Sequence, residues 1–220
     1  DDNSTDGDGA YGGNGKVEIY WGDHVINPGP GGISTNLSLW LRADAGVSGS
    51  TWNDFGPQGN NVTDANGSDT NVTTGKLINF NPTIYYDGND IHRAPSTAGV
   101  FTDYSIMGVA QMEGSDNDYV FSSSVGGTRA MGYNGDDEDE MYLEGWLHIS
   151  NKTVTTDLKM YSFEKNTSTN LYDFKGNGSL IKSGSINNNN EWRLTIGGKS
   201  TTLHSKVYVP EAIVFNKDLS

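Results

Sequence analysis

Apolar residues recur along this chain with a period of two, in short runs, and nowhere sustain a period of 3.6. Strand side chains alternate between two faces, whereas helix faces repeat every three or four residues. The pattern therefore predicts strands, with helix under ~10% against the usual third. Leu37, Leu39 and Leu41 alternate, with Trp40 on the opposite side. YSIMGVAQM (104–112) is apolar on both faces, as a central covered strand should be. MYLEGWLHI (141–149) alternates: Met141, Leu143, Leu147 and Ile149 point one way, Tyr142, Glu144, Trp146 and His148 the other. Shorter runs at 84–86, 119–121, 159–165, 171–174, 179–181, 193–196 and 207–215 are separated by Gly, Asn, Asp and Pro. Many short strands with turn signals between them predict an all-β, two-sheet antiparallel β-sandwich. The 220 residues fit one such domain, over 31–220. Residues 1–30 are an acidic, Gly-rich leader with one further alternating run, KVEIYW (16–21), read as an extra strand or a linker from a preceding module.

Charge narrows the partners. The net charge is −14, from 28 acidic and 14 basic residues. Nucleic acid is disfavoured, because phosphates demand a basic footprint. An acidic excess suits a divalent-cation binder, and equally simple solubility. No apolar run approaches the ~20 residues of a membrane helix, so no membrane insertion is expected. There is no cysteine, so stability rests on core burial and on any bound metal. Asn36, Asn61, Asn66, Asn71, Asn151, Asn166 and Asn177 open Asn-x-Ser/Thr triplets, read as chance in an Asn-rich chain rather than as glycan acceptors.

The stretch LSLWLRADAGV (37–47) followed by WNDFGPQGNN (52–61) resembles the opening of the concanavalin-A-like, laminin-G-type jelly-roll domains of large bacterial surface proteins, especially those of the Bacteroidetes. That family runs L-x-L-W-L-x-A-D and then W-x-D-x-S-G-N-G-N, and here Gly56-Pro57-Gln58 replaces its Ser-Gly-Asn. IYYDGND (84–90), NLYDFKGNGSLIKS (170–183) and VPEAIVFNKDLS (209–220) are similar to later parts of the same domains. The resemblance implies a jelly roll in a secreted, cell-surface adhesin, beside neighbouring modules of a longer chain. It does not name a ligand, because one fold carries many functions.

Four groups of residues carry candidate chemistry. Asp136, Asp137, Glu138, Asp139 and Glu140 are consecutive carboxylates, read as an acidic loop and tolerated if solvated or neutralised by a cation such as calcium, which prefers oxygen ligands. Asp87, Asn89 and Asp90 place side-chain oxygens on one tight turn, for a cation or for an Asx turn. Asp54, beside Trp52, is read as bracing that corner by hydrogen bonds. Acidic residues at Asp1, Asp2, Asp6 and Asp8, and at Glu113, Asp116 and Asp118, lack the spacing of an EF-hand loop. Finally, Tyr142, Glu144, Trp146 and His148 combine aromatic rings with hydrogen-bonding groups on one strand face, as a sugar-binding surface requires. Burying Glu144 would be costly, which favours exposure of that face.

These readings converge on a non-catalytic binding or adhesion module with carbohydrate or another cell-surface ligand, stabilised by calcium. A spacer domain without a specific ligand is the alternative. A glycoside hydrolase or polysaccharide lyase is a third reading. Its best signal, the spacing Asp136-x-Glu138-x-Glu140, exchanges residue types relative to laminarinase-like enzymes. The histidines His24, His92, His148 and His204 show no zinc-ligand spacing.

Overall fold

The computed structural model describes residues 29–44, 46–65, 73–74, 76–98, 102–113, 119–123, 129–134, 137–143, 145–186, 192–200 and 203–219. The run at 16–21 and the acidic positions of the leader lie outside them. Two antiparallel sheets pack as a sandwich, and no α-helix occurs among the described residues. None of the helical turns present is long and apolar enough to cross a membrane.

The first sheet runs, edge inward, Ser179–Ser185, Leu171–Gly176, Leu158–Asn166, Tyr104–Met112 and Lys206–Phe215. Beyond it, Lys206–Phe215 is flanked by Ile84–Asp87 along its first half and Leu37–Arg42 along its second. The expectation for 104–112 holds in part: this strand is central, paired on both sides with its core face fully buried, but Met107, Val109 and Gln111 on its outer face are only half-buried. The second sheet runs from Trp146–His148 through Asp137–Leu143, Arg129–Asn134, Phe121–Ser123, Thr195–Ile196 and His92–Arg93 to the short strands near Trp52.

The core lies between the sheets. Leu39 and Leu41 are buried while Trp40 is only half-buried, as their alternation predicts. Tyr133 of the second sheet meets Tyr161 of the first edge-on at 5.3 Å. Gly108 lets the sheets approach: a Cβ there would sit 2.4 Å from the Phe121 ring. Trp52 is fully buried and its indole N–H donates to the Arg42 carbonyl at 2.9 Å, tying the second sheet to the first strand. Asp54 braces this corner as expected. Its carboxylate accepts from the backbone N–H groups of Trp40 (2.8 Å), Gly56 (2.7 Å) and Asn60 (2.7 Å).

Two expectations need correction. Residues 141–149 are not one strand: Leu143 N–H donates to the Gly145 carbonyl at 2.9 Å, and the chain folds back into a hairpin. Ile149 consequently falls past the second strand and is 49% exposed instead of joining the core. Residues 137–140 are not a loop but part of the strand Asp137–Leu143. Val62–Asp64 and Thr73–Thr74 form two further short strands.

Candidate functional site

The hairpin at the end of the second sheet brings Tyr142 and Trp146 together as cross-strand partners. Their rings meet edge-on, 5.1 Å between centroids at 84°. Trp146 is 44% exposed, while Leu147 between it and His148 packs against the core. An exposed indole held by a second ring offers a flat, preorganised stacking surface. The register shifts inside this hairpin, so His148 stands opposite Met141 rather than continuing the Tyr142–Trp146 pair. A two-residue spacing aligns side chains only in a regular strand. His148 is half-buried. Glu144 lies outside the described residues.

Two carboxylates of the acidic strand, Glu138 and Asp139, are paired with lysines of the protein itself. Glu138 is 1% exposed, and its Oε1 accepts from Lys159 Nζ at 3.0 Å with Lys152 Nζ at 3.4 Å. Its Oε2 accepts from the Thr155 hydroxyl at 3.1 Å and the Thr155 N–H at 3.3 Å. Asp139 is a bulged residue at φ 64°, opposite a register shift between Gly132 and Tyr133. Its Oδ1 accepts from the Tyr161 hydroxyl at 2.9 Å and its Oδ2 pairs with Lys152 at 2.6 Å. That contact holds the Lys152 ammonium above its ordinary range. Glu140 turns to the Ser150 N–H at 2.6 Å. Glu138 and Asp139 thus share Lys152 while Glu140 turns to Ser150, and the even face that a spacing of Asp136-x-Glu138-x-Glu140 requires is broken at the bulge. Asp137 pairs across the strands with Asn134 and Thr153, and Asp136 lies outside the described residues.

At 87–90 the Asx turn is present: Asp87 Oδ1 accepts the Asn89 N–H at 3.0 Å. Asp90 is buried and its Oδ2 accepts the Asp87 N–H at 3.4 Å. Among the described residues no three His, Asp or Glu side chains converge as a metal group.

A further feature had no local signal in the sequence. On the outer face of the first sheet, Arg42, Glu211 and Val109 are successive cross-strand neighbours. Trp40 donates its indole N–H to Glu211 Oε1 at 2.6 Å across 171 positions of sequence. The Arg42 guanidinium lies over the Trp40 and Phe55 rings, 5.1 and 5.5 Å from their centroids, and pairs with Asp44. These groups border a groove of about 200 Å3, walled by Ile78, Asn79, Asn81 and Pro82. Farther along the same face Tyr85 and Tyr208 stack at 4.7 Å, and Glu113 accepts from both hydroxyls.

No protein-family model matches this sequence, and no curated protein matches it. Solved structures do share its fold. The sialidase of Trypanosoma rangeli, in covalent-intermediate complex with 2,3-difluorosialic acid, matches at TM-score 0.61 and 12% identity over 84% of this chain and 31% of that one. The binding domain of Paraclostridial Mosquitocidal Protein 1 matches at TM-score 0.53 and 14% identity, over 84% of this chain and 50% of that one. Domain 4 of AbnA, a GH43 extracellular arabinanase from Geobacillus stearothermophilus bound to arabinotriose, matches at TM-score 0.54 and 14% identity, over 86% of this chain and 96% of that domain. The chain therefore spans about a third of the sialidase and nearly the whole arabinanase domain. At such identities the likeness concerns the β-sandwich fold alone.

Proposed function

We propose that this chain is a non-catalytic carbohydrate-binding module of a secreted, surface-attached protein, acting through the hairpin that carries Tyr142 and Trp146. The carrying observation is the exposed Trp146 ring, fixed edge-on against Tyr142 while its strand neighbour Leu147 packs on the core. An aromatic pair contributes about 0.5–1.5 kcal/mol, so one module binds weakly and avidity comes from repeated modules. The shared fold of the arabinanase domain, described in complex with arabinotriose, supports this reading. So does the resemblance of residues 37–61 to bacterial surface jelly rolls. The test is retention of the purified chain in native gels cast with soluble plant, algal and host polysaccharides. At least one polysaccharide should retard it, with no new reducing ends after prolonged incubation. Mobility unchanged in every gel would contradict binding, and new reducing ends would contradict the non-catalytic assignment.

Calcium belongs to the same proposal and is confined to the turn holding Asp87, Asn89 and Asp90, since Glu138 and Asp139 already have lysine partners. A ligand that binds only the folded state stabilises it by about 2.7 kcal/mol at a hundredfold excess over Kd. The melting temperature should accordingly be higher in millimolar calcium than in chelator. Identical melting curves would remove calcium from the account.

A further inference from the structure

We infer a second carbohydrate site, separate from the hairpin surface, in the groove on the outer face of the first sheet, with Phe80, on the turn at the groove's edge and outside its lining, as the aromatic contact for a ligand that extends from it. Residues 78–81 form a two-residue turn: Ile78 N–H donates to the Asn81 carbonyl at 2.8 Å, and Asn81 N–H returns the bond at 2.9 Å. The central residues Asn79 and Phe80 both have positive φ, 48° and 67°. Asn tolerates that conformation, whereas the second position normally calls for Gly. A bulky residue there is strained. Phe80 is also 94% exposed, so burial in this chain does not offset the strain. The turn's base is nonetheless fixed, by the Thr83 hydroxyl donating to the Lys76 carbonyl at 2.8 Å. A strained, exposed aromatic on a fixed turn points to a contact outside the chain.

The groove beside it says what that is. Asn79 and Asn81, flanking Phe80, line it together with Arg42, Asp44 and Glu211, above an apolar floor at Val109. Guanidinium and amide groups donate, carboxylates and amides accept, and the charged groups sum to one negative charge, which disfavours an anion. Glu211 and Arg42 are held in place by Trp40 and Asp44, so the polar groups are preorganised. The volume, about 200 Å3, is below that of drug-sized pockets and suits a sugar ring. Alternating hydroxyls and C–H faces match this mixture of hydrogen-bonding groups and apolar surface. The ligand class is a neutral oligosaccharide.

Titration with arabinotriose, xylotriose, cellotriose and laminaritriose, with trigalacturonate as the anionic control, reads the site through backbone amide shifts. At least one neutral trisaccharide should move the amides of Asn79, Asn81, Val109 and Glu211, in the wild type and equally in Trp146→Ala. Phe80→Gly should weaken that response by about 2- to 10-fold, the contribution of one stacked ring. It should also raise the melting temperature, because glycine relieves the strained φ. The inference is overturned if no neutral trisaccharide moves these amides, if trigalacturonate alone does, or if Phe80→Gly binds as the wild type does. Loss of the groove response in Trp146→Ala would equally overturn a separate site.

Discussion

Replacing Lys159 by methionine is expected to destabilise the fold by about 3–5 kcal/mol, the usual consequence of leaving a buried charge without its partner. Glu138 is 1% exposed and Lys159, itself largely buried, is its better-placed cation at 3.0 Å. Lys152 stands farther off at 3.4 Å on a side chain 57% exposed, so it shares its charge with solvent. Lys152→Met should therefore cost less than about 1 kcal/mol. The double variant Glu138→Met/Lys159→Met should recover much of the loss, since a buried pair is often replaced by apolar groups at little cost. Urea unfolding of the three variants measures this, with midpoints shifting at constant slope. Equal losses for Lys159→Met and Lys152→Met would contradict Lys159 as the principal partner of Glu138.

Acidification should weaken the protein through His92. This imidazole is 1% exposed, edge-on to Tyr86 and Trp52. Its Nε2–H donates to the Ser50 carbonyl at 3.2 Å, which leaves Nδ1 to accept from the Tyr86 hydroxyl at 3.0 Å. Burial holds its pKa down at about 4, against an ordinary 6.5, despite the opposing pull of the Ser50 carbonyl and Asp64. Above pH 6.5 both folded and unfolded His92 are neutral. Between 6.5 and 4 the unfolded chain takes up a proton that the folded chain refuses, so stability falls as pH falls, by about 3 kcal/mol in all. His92→Phe removes this titration. The stability difference between wild type and variant should shrink by that amount from pH 6.5 to pH 4. Parallel stability curves across that window would contradict it.

How far residue patterns reached depended on whether neighbours in sequence were also neighbours in space. The alternation at residues 37–41 placed three leucines inside and Trp40 outside, because a regular strand maps spacing directly onto faces. Asp54 was legible as a brace because its three N–H donors lie within a short loop or the paired strand. The acidic stretch was misread as a loop since its compensating lysines, Lys152 and Lys159, come 14 and 21 residues after Glu138 and from other strands. The four-residue face at 142–148 failed at a bulge, which slips the register by one and separates His148 from Trp146. The groove was invisible for two reasons. Its Trp40–Glu211 contact spans 171 positions, and its turn carries Phe where a readable signal would carry Gly.

The central claim, that this is a carbohydrate-binding module working through its exposed hairpin aromatics, is tested most directly with Trp146→Ala. An oligosaccharide of the polysaccharide that retards the wild type is titrated while the amides of Tyr142, Leu143 and Gly145 are followed. The account predicts that these amides respond in the wild type and fall silent in Trp146→Ala, with the melting temperature nearly unchanged. An undiminished response in Trp146→Ala would contradict it. So would a loss of the 3–5 kcal/mol that emptying a core aromatic site costs, since Trp146 would then be holding the fold together rather than meeting a sugar.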